Sequence, residues 1–244
     1  MIDKTPGKVH DATVTSTVSG LDETFEVQYY LPKNYSDLYK HKVIITFDSQ
    51  DFFKYGQIER QYEKLYEVGE IERCIIVGIP YPSVEWRNRY FSPNGDKHKQ
   101  FVQFVATDFI NWVDKNFATL RTGTARLLFG ESLAGSMAYS VALQYPTTFS
   151  QAAAFSPFVD DAFIEKFEAQ PMLINLNLYH TIGLEEEDFT TIMGNQADFL
   201  TPNRALNDYL SGEGCEYEYV EMDGGHIWKT WKPEISTILQ YYFE

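Results

Sequence analysis

No stretch of this 244-residue chain stays apolar for long. Runs such as 74–80 and 152–155 stop far short of the roughly 20 residues a membrane-spanning helix needs. The opening residues, Met-Ile-Asp-Lys-Thr-Pro-Gly, have no basic head followed by an apolar segment, so no secretory signal is expected. Cysteine is scarce. Cys74 and Cys215 allow neither a disulfide framework nor zinc-site spacing, and the expected address is a reducing cytoplasm. Positive charge is also short: 20 Lys and Arg against 35 Asp and Glu leave a net charge of −15. That field repels phosphate backbones and anionic membrane surfaces, so neither nucleic acid nor membrane is an expected partner. There is no HExxH, no paired CxxC, no P-loop and no Gly-x-Gly-x-x-Gly after a strand, so no metal is expected.

What is present fits an ordinary globular chain. Hydrophobic residues make up 44% and charged residues 23%, and no linker, repeat or low-complexity tract divides residues 1–244, which read as a single domain. Aromatics are frequent, with 17 Tyr, 18 Phe and 4 Trp, leaving some surplus over the core to line a pocket. Residues 12–18 and 24–31 alternate polar and apolar around a 20–23 turn and predict an antiparallel hairpin.

From residue 42 onward, short continuous apolar runs at 42–48, 74–80, 125–129, 151–155, 172–178 and 216–221 alternate with helical patterns. Strands hydrophobic on both faces and separated by helices predict a mostly parallel sheet covered on both sides. The clearest helix lies between Lys97 and Phe117, where Val102, Val105, Ala106, Phe109, Ile110, Val113 and Phe117 form one stripe. Others are predicted from a Thr201 cap with Pro202 in the first turn to before Gly212, and from about Trp231 to Phe243. Eight strands, with helices after the third to the eighth, describe an α/β-hydrolase sheet.

The chemistry concentrates at Arg126-Leu-Leu-Phe-Gly-Glu-Ser132-Leu-Ala-Gly135. A buried strand runs into Gly-x-Ser-x-Ala-Gly and then into a helix, predicted from Ser136 to Tyr145 and closed by Pro146. Strand, sharp turn and helix are the context of a nucleophile elbow. The turn lifts the Ser132 hydroxyl above the sheet edge, and the N–H of Leu133 points where an oxyanion would form. By itself the motif also fits a serine that merely caps a helix.

A serine hydroxyl needs a base. His10, His41 and His98 lie in polar or strand-edge stretches and read as solvated surface. His180, after the predicted strand 172–178, is placed to line the pocket. His226, in Asp223-Gly-Gly-His-Ile-Trp228 between the last strand and the last helix, occupies the base position of the serine–acid–histidine order. The acid belongs after the preceding strand, where Glu185, Glu186, Glu187 and Asp188 crowd together; Glu186 is the first choice and Glu187 the next. The second oxyanion donor belongs to loop 47–53, with the N–H of Gln50 as candidate.

With these landmarks the chain resembles the putative-esterase family of α/β-hydrolases, which includes esterase D-like enzymes, feruloyl esterases, mycolyltransferases and enterochelin esterases. The resemblance spans roughly residues 20–243. It rests on Leu31-Pro-Lys-Asn-Tyr35, Asp48-x-Gln-Asp51, Val77-Gly-Ile79, Arg87…Ser92-Pro93, Gly130-Glu-Ser-Leu-Ala-Gly135, Phe149…Phe155-Ser-Pro157, Gly183-x-x-Glu186 and Gly224-Gly-His-x-Trp228. It implies Ser132 as nucleophile, His226 as base, Glu186 as acid, Gln50 and Leu133 as oxyanion donors, a small-molecule carboxylic ester as substrate and no cofactor. Ala134 and Ser49 stand where the family commonly has glycine.

Gly224-Gly-His-Ile-Trp228-Lys-Thr-Trp231 looks most like the siderophore-esterase branch. Arg87, Trp228, Trp231 and His180 are then candidate substrate contacts, through stacking and cation–π attraction to an aromatic acyl group; the alternative is that both Trp side chains merely anchor the last helix. The expectation is a serine esterase acting on siderophore triesters or on aryl or sugar esters. Its rivals are an acyltransferase on the same triad and a non-catalytic binding protein on a hydrolase scaffold. Oligomeric state has no signature in the sequence.

Overall fold

The computed structural model describes residues 2–191 and 194–244. Its strands, in chain order, are β1 (Val9–Thr15), β2 (Thr24–Tyr30), β3 (Lys42–Phe47), β4 (Cys74–Ile79), β5 (Arg126–Glu131), β6 (Gln151–Phe155), β7 (Asn177–Gly183), β8 (Phe189–Thr190), β9 (Gln196–Ala197) and β10 (Glu216–Met222). Eight of them form one sheet in the order β1-β2-β4-β3-β5-β6-β7-β10, and β8 and β9 pair separately as a small ribbon. β2 is antiparallel to both its neighbours, and the pairings from β4 through β10 are parallel. This is the α/β-hydrolase sheet with its antiparallel N-terminal pair.

The continuous apolar strands have a direct cause. Val43, Ile45, Phe47, Ile75, Val77 and Ile79 enter a core on one side of the sheet. Their alternates Ile44, Cys74 and Ile76 enter a second core on the other. Successive side chains point to opposite faces, so a strand covered by helices on both faces must be apolar throughout. The helix Leu133–Gln144 is buried along nearly its whole length, Ala134 to Leu143. Its small residues let it lie close over β5 and β6.

Several expectations need correction: β1 spans Val9–Thr15 and not 12–18, and the helix expected from Ser136 to Tyr145 spans Leu133–Gln144. The apolar run at 172–178 is not a strand at its start: Leu173–Asn175 form a 3₁₀ turn, and β7 begins only at Asn177. Helix 98–116 carries the expected stripe but contains a π-helical turn, Val105–Phe109, between its α-helical halves. The C-terminal helix is broken in two, Trp228–Trp231 and Glu234–Phe243, with Pro233 between them. The helix predicted from Thr201 starts at Leu200 after Phe199, and the Asp198 carboxylate just before it accepts the Thr201 N–H at 2.9 Å. Among the described residues no helix is long and apolar enough to cross a membrane.

Candidate active site

β5, β6, β7 and β10 are consecutive in the sheet, so the turns at their carboxyl ends converge. Each of the four delivers one side chain. β5 ends at Glu131 and the chain turns at Ser132 with φ 55° and ψ −125°, then enters the helix at Leu133. A non-glycine residue at positive φ is held there by its surroundings. The Ser132 N–H donates to the Phe155 carbonyl at 2.8 Å, and the Phe158 N–H donates to the Ser132 carbonyl at 3.3 Å. Gly130 is needed because a Cβ there would lie 2.1 Å from the Ala134 carbonyl oxygen. The extra methyl of Ala134 is accommodated in full burial.

After β6 comes Ser156, also at positive φ, 43°. After β7 comes the acidic run, and the structure separates its members. Glu185, Glu187 and Asp188 are exposed, whereas Glu186 is completely buried. Its Oε1 accepts from the Ser156 hydroxyl at 2.6 Å and from the Gly183 N–H at 2.9 Å. Gly183 has to be glycine for this: a Cβ would sit 2.6 Å from that same oxygen and 2.4 Å from the Gly224 carbonyl. The other oxygen, Oε2, lies 2.7 Å from Nδ1 of His226, which follows β10. A buried carboxylate bonded at both oxygens fixes the imidazole's orientation and favours the tautomer with its proton on Nδ1, leaving Nε2 as acceptor.

The imidazole is further held by rings. Phe189 stacks on it at 4.9 Å and 21°, Phe199 meets it at 4.7 Å, and Trp231 stands perpendicular at 4.9 Å. Phe158 stands 6.1 Å from Phe199, so the wall of phenyl rings runs from the imidazole to the residue bonded to the Ser132 carbonyl. No hydrogen bond joins Ser132 Oγ to His226 Nε2 in this structure.

Leu133 opens its helix, and Gln50 lies within the short turn Ser49–Asp51 that follows β3, so both amides are first-turn donors with no acceptor inside their own helix. The loop at Gln50 is held firmly despite Ser49. Ser49 Oγ donates to Gln28 Oε1 at 2.9 Å, and the Gln50 carboxamide pairs both ways with the backbone of Tyr81.

The four candidate substrate contacts separate. His180 lies inside β7, wholly buried, bonded to Tyr217 Oη at 2.8 Å and Asn203 Oδ1 at 2.6 Å. It lies within the strand and not at its carboxyl edge, because β7 runs on to Gly183 and does not stop at 178. Trp231 is also buried, and its Nε1–H donates to Ser156 Oγ at 3.0 Å. Arg87 is bonded internally, its Nε donating to Asp48 Oδ2 at 2.6 Å. Trp228, partly exposed like Arg87, stands edge-on to Phe52 and 6.4 Å from Tyr55. The remaining histidines also depart from expectation. His10, His41 and His98 are buried, the first two stacked on Tyr29 and Tyr35. The residue missed from the sequence is Ser156; its only signal was the Phe-Ser-Pro landmark.

Residues 19–242 match the family described as "Putative esterase". A protein of Bacillus subtilis (strain 168), named "Uncharacterized protein YjcH", is 37% identical over 220 residues, covering 90% of this chain and 92% of that one. Among solved structures, a ferulic acid esterase superposes with a TM-score of 0.78 at 18% identity, covering 97% of each chain. The BES protein from Bacillus cereus gives 0.78 at 19% identity over 100% of this chain and 97% of that chain. The enterobactin esterase FES from Shigella flexneri gives 0.82 at 15% identity, and this chain spans only 60% of its length. At such identities these structures bear on the fold, which they share. By its family match over nearly its whole length, the chain belongs to the putative-esterase family and is a carboxylic ester hydrolase of the α/β-hydrolase fold.

Proposed function

We propose that the protein is a serine esterase working through an acyl-enzyme, with Ser132 as nucleophile, His226 as general base and Glu186 as the orienting acid. The observation that carries this is the 2.7 Å contact between His226 Nδ1 and a fully buried Glu186 on the strand edges beside the strained Ser132 turn. Nε2 takes the serine proton as Oγ attacks the ester carbonyl. The amides of Leu133 and Gln50 stabilise the oxyanion, and the imidazolium protonates the leaving alcohol. Water, activated by the same imidazole, then releases the acid. A serine–imidazole hydrogen bond often tightens only once substrate is bound, so its absence from this structure is compatible with the role.

The surroundings favour an uncharged aryl ester within the siderophore, aryl and sugar classes. Phe189 and Phe199 pack against the imidazole with Phe158 behind Phe199, and the guanidinium of Arg87 is already bonded to carboxylates. With a chain charge of −15, a highly anionic ferric catecholate would meet repulsion and no free cation in this wall. Two measurements test this. Ser132→Ala should lower p-nitrophenyl acetate hydrolysis by about 10⁶-fold, because the triad acts as a unit; undiminished turnover would refute it. Across feruloyl, other aryl, acetyl-sugar and catecholate triester substrates, kcat/KM should be highest for neutral aryl esters. Transfer to an added alcohol in preference to water would convert the assignment to an acyltransferase.

A further inference from the structure

Arg87 lies in the helix Val84–Phe91 yet bonds to two turns far from it in sequence. Its Nε donates to Oδ2 of Asp48 at 2.6 Å. Its Nη2 donates to the main-chain carbonyl of Glu131 at 3.0 Å and lies 3.2 Å from that residue's Oε2. Asp48 is wholly buried and Glu131 nearly so. Asp48 stands two residues before Gln50, and Glu131 immediately before Ser132 and Leu133. One planar cation therefore joins the roots of the two turns that carry the amides.

Each root has an orientation to maintain. The Glu131 carbonyl shares a peptide plane with the Ser132 N–H, and that N–H is bonded to Phe155 at 2.8 Å. Arg87 thus holds the far end of the plane from which the φ 55° turn departs. On the other side Asp48 itself takes a left-handed conformation, φ 60° and ψ 41°, which aims the chain into the Gln50 turn. Burial pushes the Asp48 carboxyl well above its usual range, and the Arg87 charge opposes that rise.

We propose that Arg87 is a positioning residue: by bridging Asp48 and Glu131 it sets the spacing between the Gln50 and Leu133 amides and so the fit of the oxyanion hole. The role presupposes the esterase function proposed above. Two amides can hold one oxyanion only if their separation is fixed, and a misplacement of about 1 Å can cost about 10²-fold in rate. Arginine suits the task because its rigid fork reaches two acceptors at once, whereas a lysine ammonium is a point charge on a flexible stem.

Arg87→Ala would strand two buried acids and could fail to fold, so Arg87→Lys and Asp48→Asn carry the test. Each is measured for thermal unfolding, for active sites by p-nitrophenyl acetate burst titration, for kcat per titrated site, and for inhibition by an aryl boronate that forms a tetrahedral anion on Ser132. Expected is a loss of about 10²-fold in kcat per site, within the range seen on losing an oxyanion donor. KM should change little, and boronate affinity should weaken in proportion to the loss in kcat/KM. A merely structural role would reduce the number of active sites and leave kcat per site and boronate affinity unchanged; that outcome in both variants overturns the proposal. Wild-type activity in a parallel Ser132→Ala preparation would instead overturn the esterase function, and this role with it.

Discussion

The hydroxyl of Ser156 donates to Oε1 of Glu186 across 2.6 Å, and the same oxygen atom of the serine accepts the indole N–H of Trp231. The carboxylate that orients His226 is therefore held from behind by a side chain from a different strand end, which is itself held by the last part of the chain.

Removing that support should be felt in stability and in rate. Ser156→Ala leaves the Trp231 N–H without an acceptor in a buried place, worth about 1–3 kcal/mol. The released Glu186 carboxylate should lower kcat/KM by about tenfold or more. Trp231→Phe should lower the melting temperature and leave KM for aryl esters within about twofold, since the buried indole is bonded to Ser156. A large rise in KM for Trp231→Phe would return that residue to the substrate pocket.

Within the acidic run, only one change should matter. Glu186→Gln keeps the shape and removes the charge that stabilises the imidazolium, and a loss of about 10²–10⁴ in kcat is expected. Glu185→Gln and Glu187→Gln alter exposed side chains and should remain near wild type. Comparable losses in all three would place the acid elsewhere.

That choice also marks where local sequence stops being informative. The elbow at Ser132 and the Gly-Gly-His226 loop are legible because strand, turn and helix signals lie within ten residues. Four carboxylates in a row look alike from sequence; what separates Glu186 is the Gly183 N–H at the end of its own strand and the approach of Ser156 and His226 from two other strand ends. The burial of His10 and His41 is hidden from sequence for the same reason. Polar neighbours in sequence say nothing of a tyrosine ring arriving from residue 29 or 35. The displaced start of β7 follows from composition, since Met172-Leu-Ile is as apolar in a 3₁₀ turn as in a strand.

Substrate preference should follow the ring wall. Phe199→Ala removes a ring that meets both Phe158 and the imidazole. It should reduce kcat/KM for feruloyl-type esters several-fold more than for p-nitrophenyl acetate, because stacking of about 0.5–1.5 kcal/mol per ring pair is lost only with the aryl group. Equal losses on both substrates would show that the ring serves only to support His226.

Acid should destabilise the fold through its buried histidines. Burial pushes both His98 and His180 down to about 4. The unfolded chain then takes up protons first as pH falls below the ordinary histidine value of about 6.5. Stability is therefore full above that pH and is lost progressively down to about pH 4, by as much as about 3 kcal/mol per histidine. Urea midpoints at pH 7.0 and 4.5 measure this, and His180→Gln should show the shallower fall. Parallel behaviour of variant and wild type would contradict it.

The backbone at Ser132 has a cost beyond catalysis. A side chain held at φ 55° and ψ −125° stores about 1–3 kcal/mol of conformational strain, which glycine would relieve and alanine would not. Of two equally dead enzymes, the glycine replacement should outlast the alanine one on heating. Selection for thermal endurance alone would therefore replace this serine, and only a demand on its hydroxyl keeps it in a bend that its own backbone disfavours.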